Sequence, residues 1–346
     1  MVRIIGVWVD DIAIAADSES LRERFVKDLH ERFPVDDKGP LTWILGMHVA
    51  YDRQQGTLRL SQEQYVADLI QRHTGHLEGM TRRFDSPMAD DAVLTAEQCP
   101  APGSPEQAQM ADKVDAYMTL VGAVLWLAAS TRPDLAYPVS VLARFVSNPA
   151  LAHYRALQRM LLYVRDTAEY GLNYRPKLEP FHVYSDANWA EKHSTCGACY
   201  FAYGCLIAWY SRLQRSIAHS TAEAEYVAAS MAAREGIFHR EVLQDIGDPP
   251  TSATILYLDS KSAIDMAFDP VAFKKTKHIL RDAFFLRDVV ARDVYLPKHV
   301  ITTDQLADPF TKALNRVAFN SLRIRLMGVT DGEKTRRRSG GADSVH

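Results

Sequence analysis

The chain has 346 residues, of which 47% are hydrophobic and 24% charged, a composition that calls for a sizeable buried core shared among roughly two or three domains. A formal net charge of −3 excludes a bulk basic field, so any nucleic-acid contact must come from local patches. Four cysteines are too few for a disulfide scaffold, no stretch reaches the roughly eighteen apolar residues of a membrane span, and the first residues lack a signal-peptide pattern, so an intracellular protein is expected.

The apolar runs Ile4 to Val9 and Ile12 to Ala15, separated by Asp10 and Asp11, predict a tight β-hairpin. Leu21, Phe25, Leu29 and Phe33 recur every four residues and predict a helix from about Ser20 that packs on the hairpin. Strands are expected over Leu41 to Ala50 and Thr57 to Leu60, turning at Gly56, followed by a helix through Arg72 begun by a Ser61/Gln64 capping box. Residues 81–111, interrupted by Pro87, Pro100, Pro102, Gly103 and Pro105, read as a linker. Helical periodicity returns over Asp112 to Ala129, Asp134 to Phe145 and His153 to Asp166. From Phe181 strands lead. A helix over Thr221 to Asp245, a strand over Thr254 to Leu258, helices at Ser260 to Ala267 and Thr276 to Ala291, and a strand near Val294 to Ile301 then predict an α/β unit with a mixed sheet. The tail with its basic run Lys334 to Arg338 reads as disordered. Cys196 and Cys199 form a Cys-x-x-Cys, but with no second pair they read as part of a buried strand.

Four acids in the last block sit where chemistry would want them. Asp186 follows Val183-Tyr184-Ser185, Asp259 follows Ile255 to Leu258, Glu225 lies on the long helix, and Asp308 sits at a helix near the end. Each alone would serve as a turn or helix cap. Together they favour a site for a hard cation with oxygen ligands, because a carboxylate at the end of a core strand is costly unless solvated, paired or metal-bound. Glu223 competes with Glu225. The two point about 200° apart around the helix, and Glu225 is followed by the small residues Ala228, Ala229 and Ala232, which would let its face lie close to the sheet.

The segments Val183 to Ala190, Ser194 to Gly197, Ala208 to Ser211, Ser220 to Tyr226, Thr276 to Ile279 and Ala307 to Lys312 resemble, in this order, the RNase H domain of copia-type long-terminal-repeat retrotransposons. Leu120-Val121-Gly122, Thr131 to Ala136, Ser147-Asn148-Pro149 and Thr167 to Leu172 resemble the stretch that joins polymerase to RNase H in that family, and Val7-Trp8-Val9-Asp10-Asp11-Ile12 resembles its Tyr-x-Asp-Asp polymerase hairpin, with Trp8 in place of tyrosine. The resemblance implies an RNase H-like mixed sheet flanked by helices, preceded by a truncated α+β reverse transcriptase palm/thumb part and a helical connector. It divides the chain into residues 1–80 (partial reverse transcriptase), 81–111 (linker), 112–176 (connector), 177–328 (RNase H-like) and 329–346 (tail).

The resemblance further implies that Asp186, Glu225, Asp259 and Asp308 hold two Mg²⁺ or Mn²⁺ ions and cut the RNA strand of an RNA–DNA hybrid. Many RNases H carry a histidine shortly before the fourth carboxylate. Here Thr302-Thr303 occupies that stretch, and His299 lies on the preceding strand. Asp10 and Asp11 are expected to be a polymerase remnant without activity in this chain, since the partner aspartate of that family lies far upstream; the upstream polymerase portion of the polyprotein is an expected partner. The competing reading is a non-catalytic remnant that keeps the fold and binds nucleic acid or polyprotein partners.

Overall fold

The computed structural model describes residues 2–268 and 280–329 and opens on an antiparallel hairpin of β1 (Val2–Trp8) and β2 (Asp11–Ala16), turning at Val9 and Asp10. Helix α1 (Glu19–His30), capped by the Ser18 hydroxyl, packs on this hairpin as expected but buries no residue fully. A two-stranded sheet is too narrow to cover the apolar stripe: Leu21, Phe25 and Leu29 are half-buried, and Phe33 lies exposed beyond the helix.

The strand expected over Leu41 to Ala50 is split into β3 (Trp43–Ile44) and β4 (Met47–Asp52) by a two-residue turn in which Leu45 and Gly46 both have positive φ, 49° and 72°. Turns of that hand suit the right-handed twist of paired strands, and Gly46 adopts the conformation at no steric cost. The Ser61/Gln64 capping box is absent. Ser61 is the last residue of β5 (Thr57–Ser61) and buried, the cap position of α2 (Glu63–Arg72) is Gln62 with no side-chain cap, and Gln64 donates to Asp68 instead.

Residues 81–111 are packed rather than free. They contain α3 (Pro105–Met110), Met88 packs with Val141 and Phe145, and Met110 joins the core of the following helices. Those helices are α4 (Val114–Ser130), α5 (Ala136–Ala143) and α6 (Leu151–Asp166), which bury Tyr117, Leu120, Leu127, Leu157 and Met160 among themselves. Strand β6 (Gly171–Tyr174) then pairs antiparallel with β5, so the first block and the helical segment share one four-stranded sheet ordered β3-β4-β5-β6. Between α4 and α5 sits a buried ionic knot. Arg132 donates from Nε and Nη2 to the two oxygens of Asp134 at 2.9 and 2.8 Å, and Tyr163 donates to Asp134 Oδ2 at 2.7 Å.

The last unit is built on a five-stranded mixed sheet ordered β11-β10-β7-β8-β9. Here β7 (His182–Asn188), β8 (Thr195–Ala202) and β9 (Cys205–Leu213) run antiparallel, while β10 (Thr254–Leu258) and β11 (Tyr295–His299) add parallel to β7. One face is covered by α7 (Thr221–Asp245), α8 (Lys261–Phe268) and α9 (Leu280–Ala291), whose small residues Ala229, Ala232 and Ala233 let α7 approach Val183 and Ala198. The other face is covered by residues 306–314 and α10 (Arg316–Leu326), with Phe310, Leu322 and Leu326 against Cys199, Phe201 and Leu206. This is the expected RNase H-like class, a mixed sheet with helices on both sides. Cys196 and Cys199 lie buried on opposite faces of β8, as a strand dictates. The Thr276 to Ile279 segment, the start of the helix expected there, and the tail beyond Val329 lie outside the described residues.

At Gly197 the strand β8 lies close against Phe310. A Cβ there would sit 2.5 Å from Cβ of Phe310. Gly197→Ala is therefore expected to cost about 1–3 kcal/mol by overpacking. The loss should be read as a lowered urea midpoint at unchanged m-value.

Candidate metal centre

Strand pairing places the first two acids. In the parallel register Leu256 lies beside Val183 and Tyr257 beside Tyr184, so two residues further on Asp259, just past β10, comes level with Asp186. Glu225 reaches them from the second turn of α7, held at depth by the fully buried Ala228, Ala229 and Ala232 on its own face. Carboxylate oxygens of Asp186, Glu225 and Asp259 all lie within 4.8 Å of one another. Asp308 comes from the opposite layer, where a single turn of 3₁₀ helix over Asp308–Phe310 presents it. Gln305 pins that segment to β7 by donating to the Ser185 carbonyl at 2.9 Å, and the Thr311 hydroxyl donates to Asp186 Oδ2. Lys312 joins the two sides: its Nζ is 2.8 Å from Asp308 Oδ1 and 3.7 Å from Asp186 Oδ2.

The electrostatics follow from crowding. Burial, then the charges of Asp186 and Asp259, push the Glu225 carboxyl far above the usual carboxylate range. Burial and Asp186 raise Asp308 as well, against the opposing pull of Lys312, and Asp259 is raised for the same two reasons while Lys312 and His299 pull it down. Burial works against the Lys312 charge, but Asp186, Asp308 and Asp259 outweigh it and hold the ammonium above its ordinary value.

These residues fit a divalent cation. Glu225 Oε2 is buried with no hydrogen-bond partner, although it faces two other carboxylates. Such an atom is costly to bury unless a proton, a cation or a hydrogen-bond donor reaches it, and an all-oxygen, multiply negative donor set suits a hard ion.

All four acids named from the sequence are thus drawn to one region. Glu223 is not among the converging three: its Oε2 accepts from the backbone of His219 at 2.6 Å while its own N–H donates to Ser220 Oγ at 3.3 Å, an arrangement of the capping-box kind. The spacing Ser220-x-x-Glu223 carried that signal. Asp10 and Asp11 are exposed at the hairpin and, among the described residues, belong to no group of three close metal-ligand side chains. Sequence reasoning gave no role to Lys312 or Thr311. Only the Asp308-x-x-x-Lys312 spacing hinted at the first.

No family model matches the chain. It is 32% identical over 320 residues to the retrovirus-related Pol polyprotein from transposon TNT 1-94 of Nicotiana tabacum, covering 91% of this chain and 24% of that protein. It is also 32% identical over 329 residues to the retrovirus-related Pol polyprotein from transposon RE1 of Arabidopsis thaliana, covering 94% of this chain and 21% of that one. A solved foamy viral protease-reverse transcriptase in complex with an RNA/DNA hybrid aligns with a TM-score of 0.47 at 12% identity, over 90% of this chain and 37% of that one. The chain spans under a quarter of the length of the curated relatives, at 24% and 21%. Homology along nine-tenths of its length, on a sheet that gathers the acids named from the family pattern, means that the chain belongs to the retrovirus-related Pol polyproteins of copia-type transposons.

Proposed function

We propose that this chain carries a ribonuclease H activity of a retroelement Pol polyprotein: divalent-metal-dependent hydrolysis of the RNA strand of RNA–DNA hybrids by a unit within residues 177–328. The observation that carries this reading is the convergence of Asp186, Glu225 and Asp259 from three separate elements, with one Glu225 oxygen buried and unpartnered. Asp186, Glu225, Asp259 and Asp308 would hold two Mg²⁺ or Mn²⁺ ions, which when bound supply an activated water and offset the charge that develops on the phosphate. The Thr311 hydroxyl fixes one oxygen of Asp186, and the alanine face of α7 sets how deep Glu225 sits. Asp259 is the least buried of the converging three and marks the side on which a nucleic-acid backbone can approach. Asp10 and Asp11, exposed at the hairpin turn, have no part in this activity. The exposed Val7, Trp8 and Val9 beside them suit contact with another portion of the polyprotein.

The direct test is cleavage of a labelled RNA strand annealed to DNA in the presence of Mg²⁺ or Mn²⁺. A folded, metal-binding chain that leaves the hybrid intact would overturn the proposal in favour of a non-catalytic remnant. A second expectation concerns pH. Glu225, Asp259 and Asp308 are raised in the folded state, so in chelator the stability they contribute is present below the ordinary carboxylate range. It is lost as pH rises through their raised values. Millimolar Mg²⁺ should reverse the slope, because the ion binds the ionised form and stabilises by mass action. Melting temperatures across pH in EDTA and in Mg²⁺ should therefore diverge as pH rises; parallel curves would count against a carboxylate metal site.

A further inference from the structure

Among the described residues, Lys312 is the only cation within ion-pair distance of any of the four acids. Its ammonium bridges Asp308 and Asp186, whereas Glu225 and Asp259 have no ion-pair partner among the described residues. The side chain is 34% exposed and lines a small gap with Pro309, Ala313 and Phe319. A cation placed between Asp186 and Asp308 would have to meet that ammonium at close range.

We infer that Lys312 is an internal competitor for one of the two cation positions, so that the centre loads unequally. The position among Asp186, Glu225 and Asp259 includes two acids, Glu225 and Asp259, with no ion-pair partner among the described residues. The position between Asp186 and Asp308 fills only when the Lys312 ammonium gives way, for which a phosphate of bound nucleic acid is the fitting alternative partner. Lys312 is thus a positioning residue that holds Asp186 and Asp308 together without an ion and makes the second ion conditional on the substrate. The inference rests on the metal-binding reading above.

The test is calorimetric titration of the full chain with Mn²⁺ in the absence of nucleic acid, together with melting curves in EDTA, for wild type, Lys312→Met and Lys312→Arg. Lys312→Met keeps the aliphatic stem and removes the charge. It should melt below wild type in EDTA, bind Mn²⁺ roughly tenfold more tightly or more at the weaker position as the nearby like charge is removed, and show a larger metal-induced rise in melting temperature. Lys312→Arg should stay close to wild type. A role confined to packing would lower stability without tightening Mn²⁺. If wild type binds Mn²⁺ and Lys312→Met binds it no better, the competitor inference is overturned while the metal centre stands. If none of the three proteins binds Mn²⁺, the metal-binding reading itself falls and takes this one with it.

Discussion

Asp259→Asn is expected to abolish hybrid cleavage, by on the order of a thousandfold or more, while the metal-free protein becomes more stable rather than less. The two effects have one cause. Asp259 sits level with Asp186 and beside Glu225, and its carboxyl is raised by burial and by the Asp186 charge. The amide keeps the shape and relieves the repulsion but can no longer help hold a divalent ion. Glu225→Gln should behave alike, since burial and the charges of Asp186 and Asp259 disfavour its ionised form still more strongly. Glu223→Gln is the internal control. Its oxygen serves the His219 backbone at the start of α7, a bond that an amide oxygen can also accept. Cleavage should be nearly unchanged, with a stability loss of about 0.5–1 kcal/mol or less from a weakened cap. Cleavage by variants matched for circular dichroism, paired with melting curves in EDTA, measures both halves. An active Asp259→Asn, or a dead Glu223→Gln beside an active Glu225→Gln, would refute the assignment.

Asp134→Ala is expected to destabilise the protein by about 3–5 kcal/mol, since it leaves a buried guanidinium without its counter-ion. The Arg132 and Asp134 side chains are 1% and 0% exposed. Arg132 also donates to the carbonyl and hydroxyl of Thr167 at 3.0 and 2.9 Å, so the pair ties the turn after α4 to the end of α6. Burial opposes the Asp134 charge, but Arg132 and the Tyr163 hydroxyl outweigh it and hold the carboxyl below its ordinary value. Its contribution is therefore present above the ordinary carboxylate range and lost as pH falls through the depressed value, the opposite sign to the carboxylates of the metal centre. Urea unfolding of Asp134→Ala and Asp134→Asn at neutral pH measures the effect. An unfolding free energy within about 0.5 kcal/mol of wild type would show that Asp134 does not stabilise the fold.

The elements most legible in the sequence are those whose signals are local. The helix Thr221–Asp245 and the strand Thr254–Leu258 fall where periodicity and flanking residues put them, and a small-residue stripe distinguished Glu225 from Glu223. The expectations that failed are local too, but hang on one or two residues whose partners lie elsewhere. Leu45 and Gly46 turn the chain because β4 returns to pair with β3, and Ser61 is drawn into β5 by its neighbour strands, leaving α2 without the expected cap.

By itself, then, the sequence determined the α/β class, the order of the elements, and the candidate carboxylates Asp186, Glu225, Asp259 and Asp308, because hydrophobic period and motif spacing are properties of neighbouring residues. The tertiary structure alone decided that Asp186 and Asp259 meet in parallel register, that Glu225 Oε2 is left without a partner, and that Lys312 stands between Asp186 and Asp308. Those facts depend on contacts between segments far apart in the chain, where burial and mutual charge govern what each carboxylate can bind.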